Sequence, residues 1–172
     1  TGWFVGDKES SVHAAQEAVM QAVGEDVTYT DLLGASGLAF RMQVSMEGLC
    51  PSSPHAFCGY QCVAGSINAL PWKVRVYEIK AEDSAAVAEA RQAVVASIER
   101  GVPVQYGSEE DGIIVGYQKE GAEWFCFHPM HEGGTKRFVE TDWPWGIAVF
   151  TAPKETGPSK RELAVRALEQ AV

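Results

Sequence analysis

The chain is short of positive charge. Fourteen Lys and Arg stand against 23 Asp and Glu, for a formal net charge of -9 over 172 residues. That excludes the clustered cations with which nucleic-acid binders neutralise phosphate, and it argues equally against anionic membrane surfaces. Long apolar runs are missing too. No window approaches the roughly 18 residues that a transmembrane helix needs, and no signal peptide stands out. Cysteine is sparse, with four in the chain, and a domain of this size does not need disulfide staples. Cys50, Cys58, Cys62 and Cys126 read as reduced thiols of a cytoplasmic protein, with a Cys50–Cys58 disulfide left open by the sequence. There is no internal repeat and no low-complexity tract.

What is present is ordinary globular material: 46% hydrophobic and 22% charged residues, enough for one domain with a proper core. Trp3 to Val5 suggests a short opening strand. Ser10 to Val23 reads as a helix, with Val12, Ala15, Val19, Ala22 and Val23 near helical spacing, Ser10 or Ser11 as cap and Gly24 as stop. Thr28 to Leu33 reads as a second helix, Leu38 to Val44 as a strand, Met46 to Pro54 as a loop and Ala56 to Ala69 as a helix weakened by Gly59 and Gly65. Lys73 to Ile79 is a β-branched strand. Ser84 to Arg100 is the clearest helix, with Val87, Ala90, Val94 and Ile98 on one stripe and Gly101 after it. Strands follow at Val102–Tyr106, Gly112–Gln118, Glu123–Phe127, Arg137–Val139 and Gly146–Thr151. Ser159 to Glu162 is a capping box opening a last helix. That helix, residues 156–172, is expected to pack on a partner, as in a homo-oligomer, or to lead to a second domain. Residues 1–155 form the main domain. Helices first and antiparallel strands last make an α+β protein.

Three segments carry a resemblance. Gly101-Val102-Pro103-Val104 followed by Ile113-Ile114-Val115-Gly116-Tyr117 is similar to the "G-x-P-V" and "H-x-x-x-V-x-G-Y" strands of papain-like cysteine peptidases of the bacteriocin-processing kind. Gly34-Ala35-Ser36-Gly37-Leu38-Ala39-Phe40 resembles the "G-x-S-G-x-A-F" signature of bacterial papain-like domains related to the N-terminal part of the butirosin-biosynthesis acyltransferase. The resemblance covers about residues 5–150. It implies a papain-like (cysteine proteinase) fold, with N-terminal helices packed on a C-terminal antiparallel sheet, a cysteine at the N-terminus of the first helix and a histidine opening the second strand. Here Ser11, with Ser10 beside it, stands at the first position, and Asp111 and Gly112 stand at the second. A helix N-terminus lowers a thiol's pKa, whereas a serine hydroxyl gains little and needs a base. Some relatives carry an acidic residue in the preceding turn, and Glu110 is its counterpart.

Other candidates come from the residues themselves. Cys58-Gly59-Tyr60-Gln61-Cys62 loosely echoes the surroundings of a papain nucleophile, with His55 or His128 as partner; the blander reading is a pair of buried helix cysteines. Cys50, His55, Cys58 and Cys62 have no standard zinc spacing. His128 follows a strand where such folds place the residue that orients the base; the blander reading is a hydrogen-bonded strand-end histidine. Ser11 and His13, two apart on a helix, do not face each other. Glu109, Glu110 and Asp111 read as a solvated turn. Arg41, Trp143 and Trp145 are candidate ligand contacts, with core packing the alternative for the tryptophans. The expectation is a papain-like domain with degenerate Cys–His machinery that binds a small molecule or peptide, needing no cofactor or metal. The alternatives are a thiol-dependent amidase, peptidase or acyltransferase with a rearranged site, and a zinc-stabilised interaction domain.

Overall fold

The computed structural model describes residue 8, residues 10–40 and residues 63–170. The expected strand at Trp3–Val5, the loop at Met46–Pro54 and the first half of the Ala56–Ala69 helix lie outside the described residues. The chain divides into two compact units, residues 1–26 with 72–154 and residues 27–71 with 155–172. No helix among the described residues is long and apolar enough to cross a membrane.

The first unit is α+β. It holds helix α1 (Ser11–Ala22), strand β1 (Trp72–Tyr77), helix α4 (Ser84–Glu99) and strands β2 (Val104–Gly107), β3 (Asp111–Gln118), β4 (Glu123–Phe127), β5 (Phe138–Glu140) and β6 (Gly146–Pro153). The six strands form one sheet in the order β1-β6-β2-β3-β4-β5, and every pairing is antiparallel. One strand, β1, precedes the longest helix, so the order of helices first and strands last holds only in outline.

Successive strand side chains point to opposite faces, and each face has its own helix. Val104, Tyr106, Ile114, Trp124, Cys126, Ile147 and Val149 form one core with Ala90 and Val94 of α4. Asp83 caps α4 by accepting the Ala86 N–H at 3.1 Å, and Gly101, with φ +77°, lets the chain turn back into the sheet. The buried Ser97 hydroxyl fastens that return by donating to the Val102 carbonyl at 3.0 Å. Helix α1 packs on β2 and β3 and brings Ala15, Val19 and Met20, all fully buried, to the other face, where Gln105, Asp111 and Ile113 point.

The second unit holds α2 (Tyr29–Ala35), α3 (Val63–Ala69) and α5 (Lys160–Gln170). Thr28 and Asp31 form a capping box at the start of α2, and Ser159 and Glu162 form one before α5, with the Glu162 carboxylate accepting the Ser159 N–H at 2.8 Å. The first three residues of the expected Leu38–Val44 strand form a 3-10 turn at Leu38–Phe40, and residues 41–44 lie outside the described residues. Gly37 takes φ +78°, and the Ser36 hydroxyl accepts the Leu38 N–H at 3.3 Å. Those local bonds hold the backbone out of the extended region.

Candidate functional site

The site forms where the N-terminus of α1 meets the β2–β3 hairpin. Gly107 and Asp111 are the last paired residues of that hairpin. Only three residues, Ser108 to Glu110, make the loop, and the Ser108 N–H donates to the Glu110 carbonyl at 2.9 Å. Glu109 is exposed and Glu110 half-buried. The expectation of a solvated turn fails for Asp111, which is the first residue of β3. A three-residue loop sets a register that pulls it into the ladder.

Ser11 is the first residue of α1 and is 5% exposed. Its hydroxyl donates to Glu110 Oε2 at 2.6 Å and accepts the backbone N–H of Asp111 at 3.0 Å. The serine proton and one of its lone pairs are therefore both committed, across 99 and 100 residues of sequence. A carboxylate, intrinsically a weaker base than an imidazole, is the side-chain base in hydrogen-bond reach. The arrangement ties the hairpin to the helix start.

Asp111 and Gly112 divide the position that sequence left shared. A Cβ on Gly112 would lie 2.6 Å from the Phe127 carbonyl oxygen, 2.7 Å from Tyr106 Cε1 and 2.9 Å from His128 Cδ2. No side chain fits there. Asp111 points the other way, toward Gln105, whose Nε2 donates to Asp111 Oδ1 at 3.0 Å. Burial raises the Asp111 carboxyl to about 6; the Gln105 hydrogen bond opposes that rise and the negative Glu110 adds to it. Gln105 is 3% exposed and its Oε1 has no partner.

His128 lies on the Tyr106 side of Gly112, with ring centroids 5.7 Å apart. Its Nδ1 accepts the Met130 N–H at 3.2 Å, so the proton sits on Nε2. That nitrogen donates to the Glu110 carbonyl at 3.0 Å, with the Ser108 hydroxyl also at 3.0 Å. His128 thus buttresses the turn that carries Glu110. It reaches Ser11 only through that residue and does not orient Asp111.

Sequence reasoning did not find Gln105, Ser108 or the pair formed by Ser10 and His13. Ser10 Oγ and His13 Nδ1 are 2.6 Å apart. Ser10 occupies the N-cap of α1 but makes no side-chain cap bond, because its hydroxyl turns to the histidine. The spacing of three residues was the available signal. His13 is fully buried, and desolvation lowers it to about 4. Glu17, one turn further on, is paired with Lys8.

Trp143 is half-buried against the α4 core, with the Arg91 guanidinium 5.7 Å from its ring. Trp145 is 69% exposed, and its backbone N–H donates to the Gly107 carbonyl at 2.9 Å. Cys126 is fully buried and burial pushes its thiol up to about 12, which keeps it protonated and unreactive. Arg41, Cys50, His55, Cys58 and Cys62 lie outside the described residues. Among the described residues no three His, Cys, Asp or Glu gather as a metal site would require. The structure therefore brings together Ser11, Glu110 and Asp111, links His128 to them through the turn, and leaves Trp143 in the core. Compared with protein-family profiles, curated proteins and solved structures, the chain matches none of them.

Proposed function

We propose that the chain is a papain-like domain whose Cys–His machinery is degenerate, and that it works as a non-catalytic ligand-binding or regulatory module. The observation that carries this reading is the Ser11 hydroxyl, held at 2.6 Å by the Glu110 carboxylate and at 3.0 Å by the Asp111 N–H. A serine nucleophile needs a base strong enough to take its proton during attack, and the base in reach is a carboxylate, intrinsically weaker than an imidazole. Here the hydroxyl is a bridge, and the side chain nearest the missing imidazole is a carboxyl hydrogen-bonded to an amide. The α+β sheet with a helix N-terminus against the start of β3 supports the papain-like part of the reading, as do the "G-x-P-V" and "G-x-S-G-x-A-F" resemblances.

The test is turnover. The purified chain and its Ser11→Ala variant are assayed against amide, peptide and acyl-thioester substrates, and the chain is treated with a fluorophosphonate. Equal background rates and no label at Ser11 are expected. Hydrolysis or acyl transfer that disappears in Ser11→Ala would overturn the reading. So would rapid alkylation of a single cysteine coupled to loss of turnover.

A further inference from the structure

Two features of the hairpin go beyond what a structural bridge requires. Glu110 and Asp111 are adjacent carboxylates, and none of the ion pairs among the described residues includes either one. Glu110 Oε2 accepts a hydrogen bond from the Ser11 hydroxyl and Asp111 Oδ1 accepts one from Gln105 Nε2; their other oxygens take no donor from the described residues. Gln105, 3% exposed, has its amide directed at Asp111 and its Oε1 buried with no partner.

All three unfilled positions are acceptors. Two carboxylates without a counter-charge and a buried amide oxygen without a donor are unfavourable in an empty site and favourable in a filled one. The group that completes them must bring several N–H donors and positive charge. The Asp111 carboxyl stands at about 6, chiefly through burial and with the Glu110 charge adding to it, and a cation beside it would oppose both effects. A divalent metal fits less well, since it needs about six oxygen ligands and no cluster of three acidic or metal-binding side chains is present among the described residues.

We propose that this site binds the ammonium or guanidinium group of a small amine or of a basic peptide segment. The proposal rests on the non-catalytic reading of the same residues. The ligand's N–H groups fill the Gln105 Oε1 and the free oxygens of Asp111 and Glu110. A guanidinium presents a planar fork of donors and meets adjacent carboxylates better than a point charge does.

The experiment is isothermal titration of the full chain at low salt and neutral pH, with intrinsic tryptophan fluorescence read in parallel. The probes are agmatine and an N-acetylated, C-amidated Gly-Arg-Gly peptide. The controls are 1,5-pentanediol, glutarate and calcium chloride. Saturable binding of the cationic probes but not of the controls is expected. A tighter peptide assigns the source to a basic segment, and tighter agmatine to a small amine. Asp111→Asn and Glu110→Gln should each weaken binding by about 10- to 100-fold. Failure of both cationic probes, equal binding of pentanediol, preference for calcium, or indifference to both carboxylate substitutions would overturn the proposal. Those results would leave the non-catalytic reading standing. Ser11-dependent turnover would end that reading whatever the amines do.

Discussion

Asp111→Asn should change how stability depends on pH, in a direction set by two buried groups that oppose each other. The folded chain raises Asp111 from 3.8 to about 6 and lowers His13 from 6.5 to about 4. Between about pH 4 and 6, folded Asp111 holds a proton that the unfolded chain has lost. Its contribution is present below pH 3.8 and fades as pH rises toward 6. Over the same window folded His13 is neutral while unfolded His13 is protonated. Its contribution is present above pH 6.5 and fades as pH falls toward 4. Near pH 5 folding in effect moves one proton from His13 to Asp111, and the two slopes nearly cancel. At about 1.4 kcal/mol per pH unit, each group is worth about 3 kcal/mol across its window. Asp111 keeps some solvent contact, so its realised share falls toward about 1.5 kcal/mol. Asparagine preserves the shape and the acceptor for Gln105 but cannot ionise. The difference in unfolding free energy, variant minus parent, should therefore rise by about 1.5–3 kcal/mol from pH 4 to pH 7. The measurement is equilibrium urea denaturation at constant ionic strength, where other titrating groups cancel in the difference. A difference that stays flat across that range would refute the burial of Asp111 and the opposition drawn from it.

Two further outcomes follow from packing. Gly112→Ala forces a methyl against the Phe127 carbonyl, the Tyr106 ring and His128, and should destabilise the fold by about 3 kcal/mol or more; a urea midpoint within error of the parent would show that the strand can shift to admit it. Gln16 is fully buried on α1 with both amide atoms lacking a partner among the described residues, so Gln16→Met, of similar size and shape, should stabilise by about 1 kcal/mol, read as a raised thermal midpoint. A lowered midpoint would mean that the amide is satisfied.

The parts of the fold that sequence revealed are those where periodicity and local chemistry agree. The α4 stripe of Ala90 and Val94 and the Glu123–Phe127 strand were legible on that basis. The segment from Leu38 was not, because its apolar residues look extended while Gly37 and the Ser36 hydroxyl curl the backbone. The site was legible in one dimension only. Ser11, Glu110 and Asp111 could be named from motif order, since that order survives folding. Gln105 could not, because its place beside Asp111 depends on the loop having three residues rather than four. One residue more would move every later side chain of β3 to the other face. His128 is the hydrogen-bonded strand-end histidine of the blander reading, but its partners were not legible, since the Met130 N–H that fixes its tautomer arises from the turn that follows.

Serine at position 11 and glutamate at position 110 are best understood as a matched pair. A thiol at the helix start would be drawn toward thiolate by the free N–H groups there. A carboxylate at 2.6 Å, the distance that Glu110 keeps from Ser11 Oγ, would push it back, because two adjacent negative charges disfavour ionisation of either. Serine escapes that conflict, since its hydroxyl stays protonated and donates. That carboxylate is a good partner for the residue actually present. On the papain-like reading, exchange of the nucleophile for serine turns the acid of that turn into a hydrogen-bond partner. What it leaves is an acidic hairpin braced by a helix, with Asp111 held on the α1 side by a neighbour, Gly112, that allows no side chain on the other. Under the proposed reading, that hairpin holds a cation and does not activate a nucleophile.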